Sequence, residues 1–328
     1  MNPLSESSAR RRRAFRMGAL AAAALVLCAL YLALFVNPKF LTQAVSLRLP
    51  RLGGIVLAAT AISAASVIFQ TLIRNTIVTP CLLGMNSLYV LIHTAVAFTL
   101  GSASLVARSP LASFGLDIAI MGIAAVLIYW KLFERTGGNV LYVLLIGTVL
   151  ATFFSSVQGT LVRAMDPNEY DALLSTLVAS FTNVNAAVLP IGALLLALLV
   201  AALRRDLALL DVIALGRETA TSLGVDHRGA VMRLMAGVAL AIATATAVVG
   251  PLSFLGLITA NIARELMGTF RHAVLIPAAS LAGIAILAAG ELAVEHVMYF
   301  SVPVSVFVTL GGGAYFLWLI LSHREASQ

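Results

Sequence analysis

The sequence predicts an all-α, polytopic membrane protein of about ten transmembrane helices, and three observations predict it. Hydrophobic residues fill 61% of the 328 positions and charged residues only 11%, whereas soluble domains run near half apolar and a quarter charged. So little polar surface cannot cover a water-soluble globule. Apolar runs recur along the chain at about the 20 residues needed to cross a bilayer core. Nine of the ten prolines fall in the gaps between those runs or in their first turns, where a missing N–H does no harm.

The runs read as 15–36, 52–73, 82–100, 113–133, 140–162, 188–203, 231–249, 252–264, 274–294 and 303–321. The first follows Arg10 to Arg13 and Arg16, charges of the kind that anchor a helix start on the cytoplasmic side. It is longer than a signal-peptide core and lacks a small-x-small cleavage site, which predicts a retained helix behind a basic tail at 1–14. The eighth run is about a dozen residues beyond Gly250-Pro251 and fits either a short span or a re-entrant segment. Charge favours the span. Ten crossings from an inner N-terminus leave sixteen Lys and Arg inside and five outside, namely Lys39, Arg48, Arg51, Arg108 and Arg163. Dropping the eighth crossing moves Arg264 and Arg271 outward and weakens that bias. The organisation expected is one transmembrane domain over 15–322, a long inner loop at 203–231, an inner tail at 323–328, and an outer amphipathic loop near 164–187 with room for a surface helix.

A net charge of +7 does not indicate nucleic-acid binding, because nineteen of the 21 basic residues are Arg scattered mostly singly between apolar runs. Cys28 and Cys81 have no metal-ligand pattern around them and read as small hydrophobes. There is no G-x-x-x-x-G-K-[ST] loop, and Lys39 and Lys131 are the only lysines. Nor is there a G-x-S-x-G elbow or an H-E-x-x-H pair. The chain is therefore expected to be no enzyme, with no cofactor or metal of its own.

Small and hydroxyl residues line one face of several runs: Thr60, Ser63, Ser66 and Gln70; Thr148, Thr152, Ser155 and Gly159; Ser305, Thr309 and Gly312. Such faces serve close helix packing in lipid or the wall of a polar pathway. The pathway candidates are Ser63, Ser66, Gln70, Thr148, Thr152 and Ser155, with Gln70 the one expected to face water or a polar partner. Glu291, Glu295 and His296 stand at the outer end of the ninth run, where interfacial or structural duty ranks ahead of a proton relay. In the inner loop, Leu215 to Val225 (LGRETATSLGV) reads as a short helix with a left-handed glycine stop at Gly224, a shape suited to docking in another protein's groove.

That segment and four others resemble the FecCD/BtuC-type permeases of ATP-binding-cassette (ABC) importers. Arg48-Leu49-Pro50-Arg51 resembles the family's R-x-P-R entry to the second span. Gln70 to Gly84 (QTLIRNTIVTPCLLG) resembles Q-x-x-x-x-N-P-L-A-x-P-x-x-L-G, and Gly250 to Arg264 (GPLSFLGLITANIAR) resembles G-P-I-x-F-x-G-L-x-x-P-H-x-x-R. Glu218, Ala220 and Gly224 match E-x-A-x-x-x-G, and Pro303 with Gly311 to Gly313 resembles the closing P-x-x-x-x-T-x-x-G segment. The resemblance implies a type II importer fold and an inner-membrane location with both termini cytoplasmic. It implies two permease chains, two ABC ATPase subunits that use the ATP, and a periplasmic siderophore-binding protein. Arg217, Glu218, Ala220 and Gly224 are then ATPase-coupling residues, and Arg48 and Arg51 dock the binding protein.

The departures are Thr76-Ile77-Val78 for Pro-Leu-Ala, Ala260-Asn261 for Pro-His, Glu291 for Asp, and Glu295 where an Arg is common. With Ser87-Leu88-Tyr89 they resemble the branch serving ferric catecholate-type siderophores, where two paralogous permeases commonly pair; a homodimer stays open, as does cobalamin or haem as cargo. A large anionic chelate cannot cross hydrocarbon unaided. An ion-coupled secondary transporter, the alternative from another class, wants charged residues deep in several spans and broken-helix repeats.

Overall fold

The computed structural model describes residues 3–34, 39, 41–101, 109–136, 140–182, 184–299 and 301–325. Within them all regular structure is helical: α1 (Pro3–Ala33), α2 (Leu41–Ile73), α3 (Met85–Leu100), α4 (Pro110–Thr136), α5 (Val140–Ala164), α6 (Pro167–Leu177), α7 (Leu189–Ala208), α8 (Leu210–Ile213), α9 (Arg217–Ser222), α10 (His227–Val249), α11 (Leu255–Met267), α12 (His272–His296) and α13 (Val304–Glu325). A 3-10 turn, Pro80–Leu83, precedes α3. Of the residues named above, Arg108 lies outside the described ones, as do positions 1–2 and 326–328 of the two tails.

Each of the ten apolar runs overlies one helix, and the other three helices sit in the two long loops: α6 in the 164–187 loop, α8 and α9 in the 203–231 loop. Length and apolarity alone qualify six described segments to cross a bilayer, within α1, α2, α4, α5, α10 and α12. Helices α3 and α13 contain shorter apolar stretches. The 13 residues of α11 extend about 20 Å against the ~30 Å of a hydrocarbon core.

Two prolines depart from the sequence expectation. Pro50 and Pro277 lie inside helices rather than in gaps or first turns. Helix α2 starts at Leu41, so Pro50 removes the bond that the Ser46 carbonyl would accept. The turn is held from outside instead: Arg48, two residues earlier, donates to the carbonyls of Tyr31 at 2.8 Å and Leu34 at 3.1 Å and pairs with Glu295 of α12. Helix α1 likewise begins at Pro3, so most of the basic tail is helical. Arg16 and Arg13 donate to the carbonyls of Leu266 at 2.7 Å and Gly268 at 3.2 Å, filling acceptors that the C-terminus of α11 leaves open.

Helix α2 is the centre of the bundle, packed against α1, α7, α10, α11 and α12. Among its buried residues many are small: Ala58, Ala59, Ala61, Ser63, Ala65 and Ser66. Ala278, Ala279, Ala282 and Gly283 of α12, and Gly256, Ala260 and Ala263 of α11, are buried in turn. Lipid tails are as apolar as leucine, so no hydrophobic gain pulls these helices together; close backbone approach does.

One position measures that approach. A Cβ at Gly283 would lie 2.6 Å from Ser63 Oγ, 3.2 Å from Ala59 Cβ and 3.3 Å from the Ala59 carbonyl oxygen, while Gly311 has nothing within 4 Å. Gly283→Leu is expected to destabilise the isolated permease by about 1–3 kcal/mol through overpacking, and Gly311→Leu to leave it unchanged. Thermal unfolding in lipid nanodiscs measures both; equal effects would show that α2 and α12 are not in such close contact.

Candidate functional site

At the end of the bundle that carries the 203–231 loop, α9 packs lightly against α8 and α10 and leaves most of its surface open. Arg217, Glu218, Thr219, Thr221 and Ser222 are exposed, and only Ala220 is fully buried as its foot. The helix begins after Gly216 at φ 104° and ends in a Schellman motif, with the Gly224 N–H on the Thr221 carbonyl at 2.9 Å and the Val225 N–H on the Ala220 carbonyl at 3.0 Å. Gly224 takes φ +80°, the left-handed conformation this motif needs.

Three links hold α9 in place, none of them visible as a motif. First, Arg233 of α10 grips Asp206 of α7 with two parallel bonds of 2.9 and 2.8 Å, a charge-assisted fork that closes the base of the loop. Second, Asp211 of α8 accepts from the backbone N–H of His272 at 2.9 Å and from its ring Nδ1 at 2.5 Å. An ionised carboxylate only accepts, so Nδ1 carries the hydrogen. The other ring nitrogen, Nε2, is 2.7 Å from Thr71 Oγ1 on α2. Burial by itself pushes the Asp211 carboxyl up, but the His272 backbone and ring bonds, with the charges of His272 and Arg271, hold it below the ordinary carboxylate range. Third, the Arg74 guanidinium covers Gly216, where a Cβ would sit 3.3 Å from Nη1.

The segment after α2 is built for this position. Arg74 has φ +56° and its N–H meets the Thr71 carbonyl at 3.1 Å, while the Asn75 N–H meets the Gln70 carbonyl at 3.0 Å. This is a second Schellman ending, with an arginine where glycine is usual. Asn75 Oδ1 then accepts from the Ile77 N–H at 2.9 Å, and Asn261 of α11 donates to the Thr76 carbonyl at 3.2 Å. Gln70 is buried and its Oε1 accepts from Arg264 of α11; a polar partner was the sequence expectation for it.

The remaining sequence candidates fall in three separate places. Ser63 and Ser66 are buried where α2 meets α12 and α11, and neither hydroxyl finds a hydrogen-bond partner among the described residues. Thr148, Thr152 and Ser155 lie on an exposed face of α5, where the two threonines bond back to the Leu145 and Thr148 carbonyls and Ser155 reaches Ser87 at 3.3 Å. Arg48 and Arg51 are at the opposite end of α2 from α9. Arg48 is turned inward and only 9% exposed; Arg51 is half-buried and lies near Tyr31 and Glu291. Glu291 is itself buried and Glu295 is the partner of Arg48. Sequence reasoning passed over Asp206, Asp211, Arg233 and His272. Their only signal was polarity at the edges of apolar runs, and their partners are distant in the chain.

The model of the FecCD transport family matches residues 23–322. The petrobactin import system permease protein YclO of Bacillus subtilis (strain 168) is 36% identical over 85% of this chain and 89% of its own length. The petrobactin import system permease protein FatC of Bacillus anthracis is 30% identical over 88% of this chain and 81% of its own. Among solved structures, a chain of an ABC transporter described as metal-chelate type, in an inward-facing conformation, superposes with a TM-score of 0.81 at 21% identity, covering 94% of this chain and 99% of that one.

The non-glycine Schellman ending has a measurable cost. Arg74→Gly is expected to stabilise the isolated permease by about 1 kcal/mol, the usual penalty for an L side chain in the left-handed region. A rise in melting temperature checks it; a fall would show that the Arg74 contact with Gly216 outweighs the strain.

Proposed function

The chain belongs to the FecCD transport family, and from that premise we infer that it is the permease subunit of an ABC importer that carries a ferric siderophore across the bacterial inner membrane. The protein is multi-pass, and its partners are an ATPase and a binding protein. This chain supplies the passage and holds no cofactor; the ATP is consumed by the ATPase. Relatives named for petrobactin import at 36% and 30% identity support a siderophore as cargo. All ten long helices cross, both termini and the 203–231 loop face the cytoplasm, and one domain over 15–322 carries the transport. The second permease in the assembly is a paralogue.

The observation that carries the mechanism is the tie from the exposed α9 through Asp211 and His272 to Thr71 on the central helix. Helix α9, with Arg217, Glu218, Ala220 and Gly224, seats in a groove of the ATPase. Movement of the ATPase shifts α9, and the Asp211–His272–Thr71 bonds pass that shift to α2. Because α2 also carries Arg48 and Arg51 at its other end, the same rod reaches the face where the binding protein docks. Arg51 meets that protein directly, and Arg48 joins it on leaving Glu295. The charged cargo, too costly to bring into hydrocarbon, passes between the two permeases along the exposed face of α5 with Thr148, Thr152 and Ser155.

Reconstitution with the ATPase and binding protein in proteoliposomes tests this. Asn at position 272 offers an amide near the place of Nδ1 and Gln one near Nε2, so the first keeps the Asp211 link and the second loses it. His272→Asn keeps the Asp211 link but loses the Thr71 link, so each variant breaks the relay at one end. Both are expected to lower ferric-siderophore uptake, His272→Gln about tenfold, in line with loss of a bond to a charged group, with ATPase binding unchanged. Gly224→Val, forced into the left-handed region, is expected to leave hydrolysis uncoupled from uptake. Uptake at the wild-type level in all three variants would remove the coupling role.

Orientation has its own check. Single cysteines placed in 164–187 and in 206–228 are expected to react with impermeant maleimide from opposite sides of the membrane, and labelling from one side contradicts ten crossings.

A further inference from the structure

At the end of the bundle opposite α9, a cavity of about 280 Å³ opens between α3, α4, the end of α10 and the 178–188 segment. Its polar lining comes from two pairs spaced one helical turn apart. Tyr89 and His93 lie on one face of α3, and Ser113 and Asp117 on one face of α4. Ser180 and Asn185 close the remaining side. His93 Nε2 stands 3.0 and 3.1 Å from the two Asp117 carboxylate oxygens. The hydrogen bond goes to Oδ2; Oδ1 has no hydrogen-bond partner among the described residues, although Asp117 is only 2% exposed. The Tyr89 ring lies against the imidazole, centroids 4.3 Å apart.

A buried carboxylate whose two oxygens share one ring nitrogen, with the aligned bond going to Oδ2 alone, leaves Oδ1 short of a donor of its own, which is costly. An ionisable residue inside a spanning helix also marks a functional site by default. What it lacks is a donor, best a positively charged one. The volume decides which kind. Liquid water occupies about 30 Å³ per molecule, so a bare ion would leave most of 280 Å³ to solvent. A metal ion also wants several converging ligands, and among the described residues no group of three or more His, Cys, Asp or Glu side chains is placed to hold one. A small carbon body bearing an ammonium suits these features: the charge on Asp117 Oδ1, the Tyr89 ring beside it, and the Ser113 hydroxyl for a polar far end; the Ser180 hydroxyl is already bonded to Thr182. Pro110 and Asn185 at the rim are exposed, which gives an entrance from the loop side.

We propose that this cavity is a binding site for a small organic ammonium, held by Asp117 beside His93 and separate from the siderophore passage. The full-length permease in lipid nanodiscs is titrated with 1,4-diaminobutane, with sodium chloride at matched ionic strength as reference. A saturable rise in melting temperature of about 2–4 °C is expected with the diamine alone. Asp117→Asn, which keeps an acceptor for His93, removes the rise. Ser113→Leu fills the cavity while both members of the ion pair stay in the sequence, and also removes the rise, which guards against a folding defect in the first variant. No rise in the wild-type protein, or one that persists in both variants, overturns the site. An equal rise with sodium chloride overturns the organic ligand.

Discussion

Everything in this fold depends on how closely α2 lets its neighbours approach. In water a helix of this composition would be drawn inward by its apolar surface. In a bilayer the surroundings are equally apolar, and that driving force is absent. Cohesion comes from dispersion contacts between backbones brought near by alanine, glycine and serine. Helix α2 shows this arrangement on several sides: Ala59 and Ser63 toward Gly283, Ser66 toward Gly256, and Leu57 toward Gly192 of α7. Larger residues on those faces would separate the helices, and the few polar bonds between them would lengthen with the separation.

Those polar bonds are few and fall near the two ends of α2. At one end Arg48 joins α1 and α12 through the Tyr31 carbonyl and Glu295. At the other, Gln70 joins α11 and Thr71 joins α12 through His272. The stretch between is held mainly by packing, so α2 is a connector with its specific contacts near its tips. In the coupling proposed above, this connector is the link between the ATPase face and the binding-protein face. Glu295 gains meaning in this setting. An acidic residue there satisfies the buried Arg48, whereas a basic one would repel it.

The turns repeat one device. Gly216, Gly224 and Gly250, like Gly84, adopt positive φ where helices change direction, and Arg74 does so without being glycine. At Gly250 the position is doubly restricted, because a Cβ would stand 2.8 Å from the Ala179 Cα while the Ser180 N–H bonds the Val249 carbonyl at 3.1 Å. At Gly84 and Gly250 the chain thus both bends and lets another backbone pass.

By itself the sequence determined the all-helical membrane character, the positions of the ten long helices, the surface helix in the 164–187 loop and the short α9 with its glycine stop. Each is local: apolar run length, proline and glycine placement, and charge next to a run are all properties of neighbouring residues. It also indicated water or a polar partner for Gln70, without singling out Arg264, 194 positions away. Only the tertiary structure decided which small residues are packing and which are exposed, so that Ser63 and Ser66 separate from Thr148, Thr152 and Ser155. Only it paired Arg48 with Glu295, Asp211 with His272, and His93 with Asp117. The last pair was half legible, since Tyr89 and His93, like Ser113 and Asp117, share a helical face by spacing. That the two faces meet follows from how α3 and α4 dock, and in a membrane docking is set by shape, which no pattern of single residues states.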